Sequence, residues 1–110
     1  MRCPKCSVDM NEMSLLATTI DVCPLCNGCW LDNNELTRIT RSRGKDAVRL
    51  ALNEKKKTQF RCPRCKSAAF LHEGKHERND KFLIDECEKC GGIWLDRGEL
   101  PTLLSMNKPS

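Results

Sequence analysis

The feature that most constrains this chain is a cysteine pattern that occurs twice in 110 residues. Each copy has two C-x-x-C pairs. The eight cysteines are Cys3, Cys6, Cys23 and Cys26 in the first copy, and Cys62, Cys65, Cys87 and Cys90 in the second. A C-x-x-C turn brings two thiolates close enough to share one ion, and four thiolates make the tetrahedral set that Zn²⁺ prefers. The spacing therefore predicts two zinc ions as cofactors, although a single iron accepts the same ligands.

Disulfides and redox-active thiol pairs are the alternatives to metal binding. Disulfide scaffolds are typical of secreted chains, and the sequence shows no signal peptide and no apolar stretch long enough to cross a membrane. We therefore expect a reducing, cytoplasmic location without membrane contact. The apolar fraction is 39% and the aromatic fraction 5%, so each small copy has little core material and depends on its metal to fold.

Each copy predicts a short antiparallel hairpin followed by a helix. Residues 14–20 and 82–84, between the cysteine pairs, are β-prone, and five extra residues in the second copy predict a longer hairpin. After each second pair, an aspartate stands three residues before a glutamate, which is typical of a capping box at a helix start; the pairs are Asp32 with Glu35 and Asp96 with Glu99. We expect the first helix to reach about Arg43 and the second to be disturbed by Pro101.

The two tryptophans and the odd cysteine have plain structural explanations. Trp30 and Trp94 occupy equivalent positions after the second cysteine pair, where we expect core packing beside the metal rather than ligand stacking. Cys29 is the ninth cysteine and aligns with Ile93, which favours a small buried side chain. A redox sensor or a substitute metal ligand is the alternative for Cys29.

The residues around the second pairs resemble a known family. Both copies carry C-x-x-C-x-G-x-W-L-D-x-x-E-L after an upstream C-P-x-C, which closely resembles the transcription factor IIB-type zinc-ribbon family of small prokaryotic proteins. The resemblance covers residues 1–40 and 60–105. It implies zinc ribbons, the eight metal ligands above and nucleic-acid binding. The first copy departs from the pattern at Asn27, where the second has Gly91, and at Cys29.

One motif matches a peptidase signature. The residues His72-Glu73-Gly74-Lys75-His76 fit His-Glu-x-x-His, whose chemistry needs a helix so that both histidines face one ion. Because this segment lies in the proposed hairpin, we expect no peptidase activity, no catalytic residue and no small-molecule substrate.

Positive charge is concentrated in the middle of the chain. The formal net charge is +4, but each zinc with four thiolates contributes about −2, so the overall charge carries no argument. Residues 38–66 hold eleven of the nineteen basic side chains. The segment Asp46–Lys55 is rich in helix formers and predicts a basic linker helix. Its candidate phosphate-binding residues are Arg41, Arg43, Lys45, Arg49, Lys55, Lys56 and Lys57. An equally weighted alternative is a solvated linker neutralised by acids such as Glu86 and Glu88.

These observations predict a small metal-stabilised α+β protein. It comprises a first zinc ribbon with its helix (1–43), a basic helical linker (44–59) and a second ribbon with a short helix (60–110). The expected role is non-enzymatic and nucleic-acid-associated, as a transcription- or RNA-related accessory factor. The alternatives are an adaptor that binds a protein partner through a hairpin edge or the apolar face around Val48, and a thiol switch centred on Cys29.

Overall fold

A computed structural model describes residues 1–15, 18–32, 34–35, 52–76 and 79–101. Seven strands form one sheet in which every neighbouring pair is antiparallel, in the order β1-β2-β3-β7-β6-β5-β4. The strands are β1 (Asn11–Leu15), β2 (Thr18–Val22), β3 (Cys29–Leu31), β4 (Leu52–Cys62), β5 (Lys66–His76), β6 (Asn79–Glu86) and β7 (Ile93–Leu95).

The two copies meet through their shortest strands. In β3 and β7, Trp30 lies opposite Trp94, Cys29 opposite Leu95, and Leu31 opposite Ile93. The pairing is reciprocal: Cys29 pairs with Leu95, and the equivalents of these two residues, Ile93 and Leu31, pair with each other. Reciprocal pairing of this kind is typical of an isologous dimer interface. The duplicated chain thus contains its own dimer contact, and the sheet runs continuously through both copies.

Alternation along β3 and β7 distributes their side chains between two cores, because successive residues of a strand point to opposite faces of the sheet. One face packs Ile20, Cys29, Leu31, Phe82, Ile84, Ile93 and Leu95. The other face packs both tryptophans with Met10, Leu71 and the buried cysteines of the two metal clusters. The expectation that Trp30 and Trp94 are core residues is confirmed, since they are 1% and 0% exposed.

The expected α+β class is only partly correct, because the described residues are mostly antiparallel sheet. Helical turns occur at residues 34–35 and 99–101, and the continuations expected towards Arg43 and beyond Pro101 lie outside the described residues. The linker helix is wrong over residues 52–59, which belong to β4. Its first part, residues 44–51, is also outside the described ranges. Strand β4 pairs with β5 at six positions over its eleven residues, with three register shifts, and this tertiary contact overrides a weak helix propensity.

The second copy is larger than the first, as its longer spacer predicts. Its hairpin is formed by strands of eleven and eight residues, whereas β1 and β2 have five each. Strand β4 is added outside β5, so the outer strands of the sheet are β1 and β4. In the described part of the chain, no helix has the length and apolar composition to cross a membrane.

Candidate metal centres

The four cysteines of each copy converge on one point. In both clusters the Sγ atoms all lie within 4.8 Å of one another. Sulfur pairs at 3.8 Å join Cys3 with Cys26 and Cys62 with Cys90. A tetrahedral zinc ion with arms of about 2.3 Å places its sulfurs about 3.8 Å apart, whereas a disulfide needs about 2.05 Å. Both clusters therefore fit one zinc ion each, as the spacing predicts, and all nine cysteines are free thiols.

The backbone of each C-x-x-C turn is shaped to hold thiolates. The residue after every second cysteine has a left-handed conformation, with φ between 54° and 77°; these residues are Ser7, Asn27, Lys66 and Gly91. Asparagine tolerates this region better than most side chains, which explains why Asn27 replaces a glycine without disrupting the turn. The departure of the first copy at this position is therefore accommodated.

Backbone N–H groups in these turns donate to sulfur. The N–H groups of Leu25 and Cys26 donate to Cys23 Sγ at 3.4 and 3.5 Å, and that of Cys65 donates to Cys62 Sγ at 3.3 Å. Burial raises the pKa of the Cys23 thiol, but the two N–H donors, together with hydrogen bonds from the Cys26 and Cys3 side chains, lower the pKa to about 7. At Cys3 burial outweighs the same kind of N–H donors and raises the pKa of the thiol to about 12, so these donors favour the thiolate at Cys23 but not at Cys3.

A glycine in each copy lies under the tryptophan of the other copy. A Cβ on Gly28 would stand 2.4 Å from Trp94 Cζ2, and one on Gly92 would stand 2.2 Å from Trp30 Cζ2. Neither glycine has a positive φ. The glycine in the C-x-x-C-x-G-x-W motif is therefore required by close packing across the copies, not by turn conformation as at Gly91. Sequence reasoning missed this role, because no pattern within one copy indicates what lies above its glycine.

Three ion pairs cross between the copies in the described residues, and one of them joins Lys5 to Asp85 at 3.2 Å. Lys5, in the C-P-x-C turn of the first copy, contacts Asp96 of the second at 2.9 Å, and Arg64 of the second contacts Asp32 of the first at 3.7 Å. The sequence pattern that could have predicted the ion pairs with Asp96 and Asp32 is a basic residue at the same position of both C-P-x-C turns, together with an aspartate after both Trp-Leu pairs. These contacts tie each metal turn to the helix start of the opposite copy.

The capping box is complete at the first helix start and half formed at the second, where the Glu99 N–H donates to the Asp96 carbonyl oxygen instead of its side chain. In the first copy the Asp32 N–H donates to Glu35 Oε1 at 3.0 Å, and the Glu35 N–H donates to Asp32 Oδ1 at 2.8 Å. In the second, the Asp96 N–H donates to Glu99, while the Asp96 carboxylate accepts from Lys5 and from Trp94 Nε1. The prediction is confirmed in the first copy, and in the second the aspartate side chain serves the contact between copies.

Cys29 is a core residue. Its side chain is 7% exposed and packs with Leu31 and Leu95 on the face opposite the metal clusters. Burial, followed by the charges of Glu99 and Glu35, raises the pKa of its thiol to about 12. A buried and protonated thiol is a poor redox sensor, so the position has the packing role that its alignment with Ile93 indicates.

The peptidase-like motif lies on a strand. His72 and His76 both belong to β5, and the His76 ring meets Phe82 edge to face at 5.9 Å. In the described ranges, only the two cysteine clusters bring three or more metal-ligating atoms together. The helix required by the peptidase mechanism is therefore replaced by a strand, as expected.

The basic residues proposed for phosphate binding divide into two groups. Arg41, Arg43, Lys45 and Arg49 lie outside the described residues, whereas Lys55, Lys56 and Lys57 lie on β4 rather than on a helix. Lys55 Nζ contacts Glu86 at 3.2 Å and Glu88 at 3.8 Å. These are the two acids that the neutralised-linker alternative names, so Lys55 is neutralised as that alternative expects, but on a strand and not on a linker helix.

Sequence reasoning missed a cationic cluster around an aromatic ring beside these lysines. Lys57 Nζ lies 4.7 Å from the centre of the Phe70 ring, and the Arg61 guanidinium carbon lies 5.0 Å from it. Arg61 is opposite Phe70 in the β4–β5 pairing. The cluster therefore depends on register between two strands, which the sequence does not provide.

The comparisons with known proteins agree with this geometry. A family model described as transcription factor zinc-finger, of the transcription factor IIB zinc-ribbon type, matches residues 2–42 and 61–106. No curated protein and no solved structure gives a significant match. The family model covers most of the chain in two regions, each containing one four-cysteine cluster. The chain therefore belongs to the transcription factor zinc-finger family, as a member with two tandem zinc-ribbon copies.

Proposed function

We propose that this zinc-binding protein is a nucleic-acid-associated accessory factor, transcription- or RNA-related, that contacts single-stranded nucleic acid through the β4–β5 hairpin. The observation that carries the proposal is the half-buried Phe70 ring with Lys57 and Arg61 within about 5 Å of it. Proteins that bind single strands combine aromatic rings, on which bases stack, with cations that neutralise the backbone. The proposed role is binding in the cytoplasm, without a catalytic step.

The charge pattern favours this hairpin over the ion-paired lysines of the described residues. Several other lysines are held by the protein's own acids: Lys5 by Asp85 and Asp96, Lys55 by Glu86 and Glu88, and Lys75 by Glu54. Among the described residues, Lys57 and Arg61 lie against the Phe70 ring and form no ion pair with a carboxylate. Their charge is therefore available to phosphates.

A second basic surface is less suited to an anion. A cleft of about 650 Å³ between the two C-P-x-C turns is lined by Arg2, Arg61 and Lys66, but also by Cys3 and Cys62. Each zinc with four thiolates carries about −2, so these cations first offset the charge of the metal sites. The Phe70 surface is thus the better candidate for nucleic-acid binding. Arg61 belongs both to this surface and to the cleft.

The test is fluorescence anisotropy of zinc-loaded protein with labelled single-stranded RNA and DNA and with duplex DNA, across a salt series. Lys57 and Arg61 would neutralise about two phosphates, which gives a slope of log affinity on log salt of about −1.4 for a single strand. A contribution from Arg41, Arg43, Lys45 and Arg49 would steepen it.

Matched variants locate the interface. Phe70→Leu should lower single-strand affinity about tenfold, since base stacking on an aromatic ring contributes about 1–3 kcal/mol. Lys57→Gln should weaken binding and flatten the salt slope, whereas Lys55→Gln should not, because Lys55 is already paired. Absence of binding at low salt, or equal losses for the two lysine variants, would rule out this surface.

A further inference from the structure

Each tryptophan is surrounded by four acids at equivalent positions in the two copies. The sets are Glu12, Asp21, Asp32 and Glu35 around Trp30, and Glu73, Asp85, Asp96 and Glu99 around Trp94. Glu12 lies opposite Asp21 on β1 and β2, as Glu73 lies opposite Asp85 on β5 and β6. Asp21 and Asp85 in turn lie opposite Trp30 and Trp94. The molecule thus contains two versions of one acidic site.

In the second copy an ammonium group occupies the site. Lys5 Nζ lies 2.9 and 3.1 Å from the two carboxylate oxygens of Asp96 and 3.2 Å from Asp85 Oδ2. Asp96 Oδ1 also accepts a hydrogen bond from Trp94 Nε1 at 3.1 Å. Lys5 therefore links Asp85 with Asp96, and it holds the Asp96 carboxylate where it accepts the hydrogen bond from the Trp94 indole.

In the first copy the equivalent site is open. Arg64, which corresponds to Lys5, lies 3.7 Å from Asp32, and its side chain is 55% exposed. A cavity of about 320 Å³ remains, lined by the four acids with Met1, Thr19, Trp30 and Arg64, and the amino-terminal charge acts on Asp21 against the burial that raises its pKa. Trp30 is 1% exposed, yet among the described residues its Nε1–H has no acceptor. An unpaired buried donor costs about 1–3 kcal/mol, and it would gain its acceptor if a ligand fixed Asp32 as Lys5 fixes Asp96.

The strand beside this site is an outer strand in the described part of the sheet. In the second copy β4 pairs with β5 and places Lys56 opposite Glu73. In the first copy β1 corresponds to β5 and is an outer strand of the described sheet, with Glu12 and its neighbours exposed. An open strand edge accepts an extended chain by β-augmentation.

We infer that the acidic cavity around Trp30 binds a lysine ammonium presented by an extended, lysine-bearing segment of a partner protein, which pairs along the open edge of β1. The second copy shows both parts of the arrangement, with Lys5 in the cavity and the lysine-rich β4 along the edge. This partner site lies in the first copy, so it is separate from the nucleic-acid surface proposed around Phe70 in the second. A metal ion is not the occupant that the geometry favours, since the acids do not form a metal-ligating cluster among the described residues.

The test follows the two indole resonances in ¹H–¹⁵N spectra of zinc-loaded protein, because the chain has two tryptophans. The probe is a capped eight-residue peptide of alternating threonine and lysine, and the control is the same peptide with every lysine acetylated. We expect the Trp30 indole signal to move with a dissociation constant below about 1 mM, while the Trp94 signal stays and the acetylated peptide has no effect. Trp30→Phe assigns the signals.

Variants separate the cavity from general charge. Asp21→Asn should weaken peptide binding at least tenfold, whereas Glu88→Gln, on an exposed acid of the second copy, should leave it unchanged. An unshifted Trp94 signal verifies that Asp21→Asn is folded, and the acetylated-peptide comparison needs no variant.

Four results would overturn the inference. In the first, the Trp30 signal does not move at millimolar peptide. In the second and third, the acetylated peptide or free spermidine binds as tightly as the lysine peptide. In the fourth, the lysine peptide binds only after the Arg64→Met substitution. The last result would mean that Arg64 itself fills the cavity.

Discussion

Substitution of Gly92 by alanine tests whether the two copies depend on each other. The new Cβ would stand 2.2 Å from Cζ2 and 2.7 Å from Cη2 of Trp30, while ordinary contacts begin at 3.4 Å. The indole has to retreat by about 1 Å, yet it is 1% exposed and packed among the metal-binding cysteines. Overpacking costs about 1–3 kcal/mol, and replacing glycine returns about 0.4–1 kcal/mol through the unfolded state. We therefore expect a net loss of about 1–2 kcal/mol.

A double-mutant cycle identifies the partner across the copies. Trp30→Phe removes the benzo ring that meets the new methyl group, so Gly92→Ala should cost about 1–2 kcal/mol less in that background than alone. The control is Trp94→Phe, which shortens the tryptophan of the same copy and should combine with Gly92→Ala almost additively. Gly98→Ala is a second control, because a Cβ there meets nothing within 4 Å and its cost comes from a φ of +82°.

The assay is urea unfolding of zinc-loaded protein followed by far-UV circular dichroism. Free zinc is held constant with a chelator buffer, since metal binding contributes to apparent stability by mass action. A loss below about 0.5 kcal/mol for Gly92→Ala, or equal coupling to both tryptophans, would refute contact between the copies.

Three further outcomes are expected. Chelation of zinc should abolish the folded circular dichroism spectrum, since structural zinc contributes on the order of 10–16 kcal/mol; a chelated protein that keeps its spectrum would contradict this. Cys29 should resist iodoacetamide at pH 8 in zinc-loaded protein, as its thiol is buried with a pKa of about 12, and Cys29→Ala should retain two zinc ions in elemental analysis. Burial, followed by the charge of Asp96, raises the pKa of Glu99 from 4.5 to about 7. The folded state therefore binds the extra proton, and stability falls as pH rises from about 4.5 to 7. In urea titrations, the free energy of unfolding of Glu99→Gln should rise relative to that of the parent protein as pH increases across that window. A difference in unfolding free energy that stays constant with pH would exclude the shifted pKa.

The local chemistry of the metal sites could be read from the sequence. Eight cysteines with fixed spacing determine two tetrahedral sites, because C-x-x-C geometry depends on residues that are neighbours along the chain. The capping pair of Asp32 with Glu35 and the packing role of Cys29 follow in the same way, from contacts within a few residues and from alignment of the two copies. The helix expected over residues 52–59 failed, because β-pairing with a distant segment outweighed local propensity.

What the tertiary structure decided is how the copies combine. The sequence by itself determined that there are two metal-binding units with the same motif. It did not determine that β3 pairs with β7, that Gly92 lies under Trp30, or that Lys5 fills one acidic site while the equivalent site around Trp30 remains open. The physical reason is that these features depend on contacts between residues about sixty or more positions apart, whose register is set by shape and burial across the whole sheet.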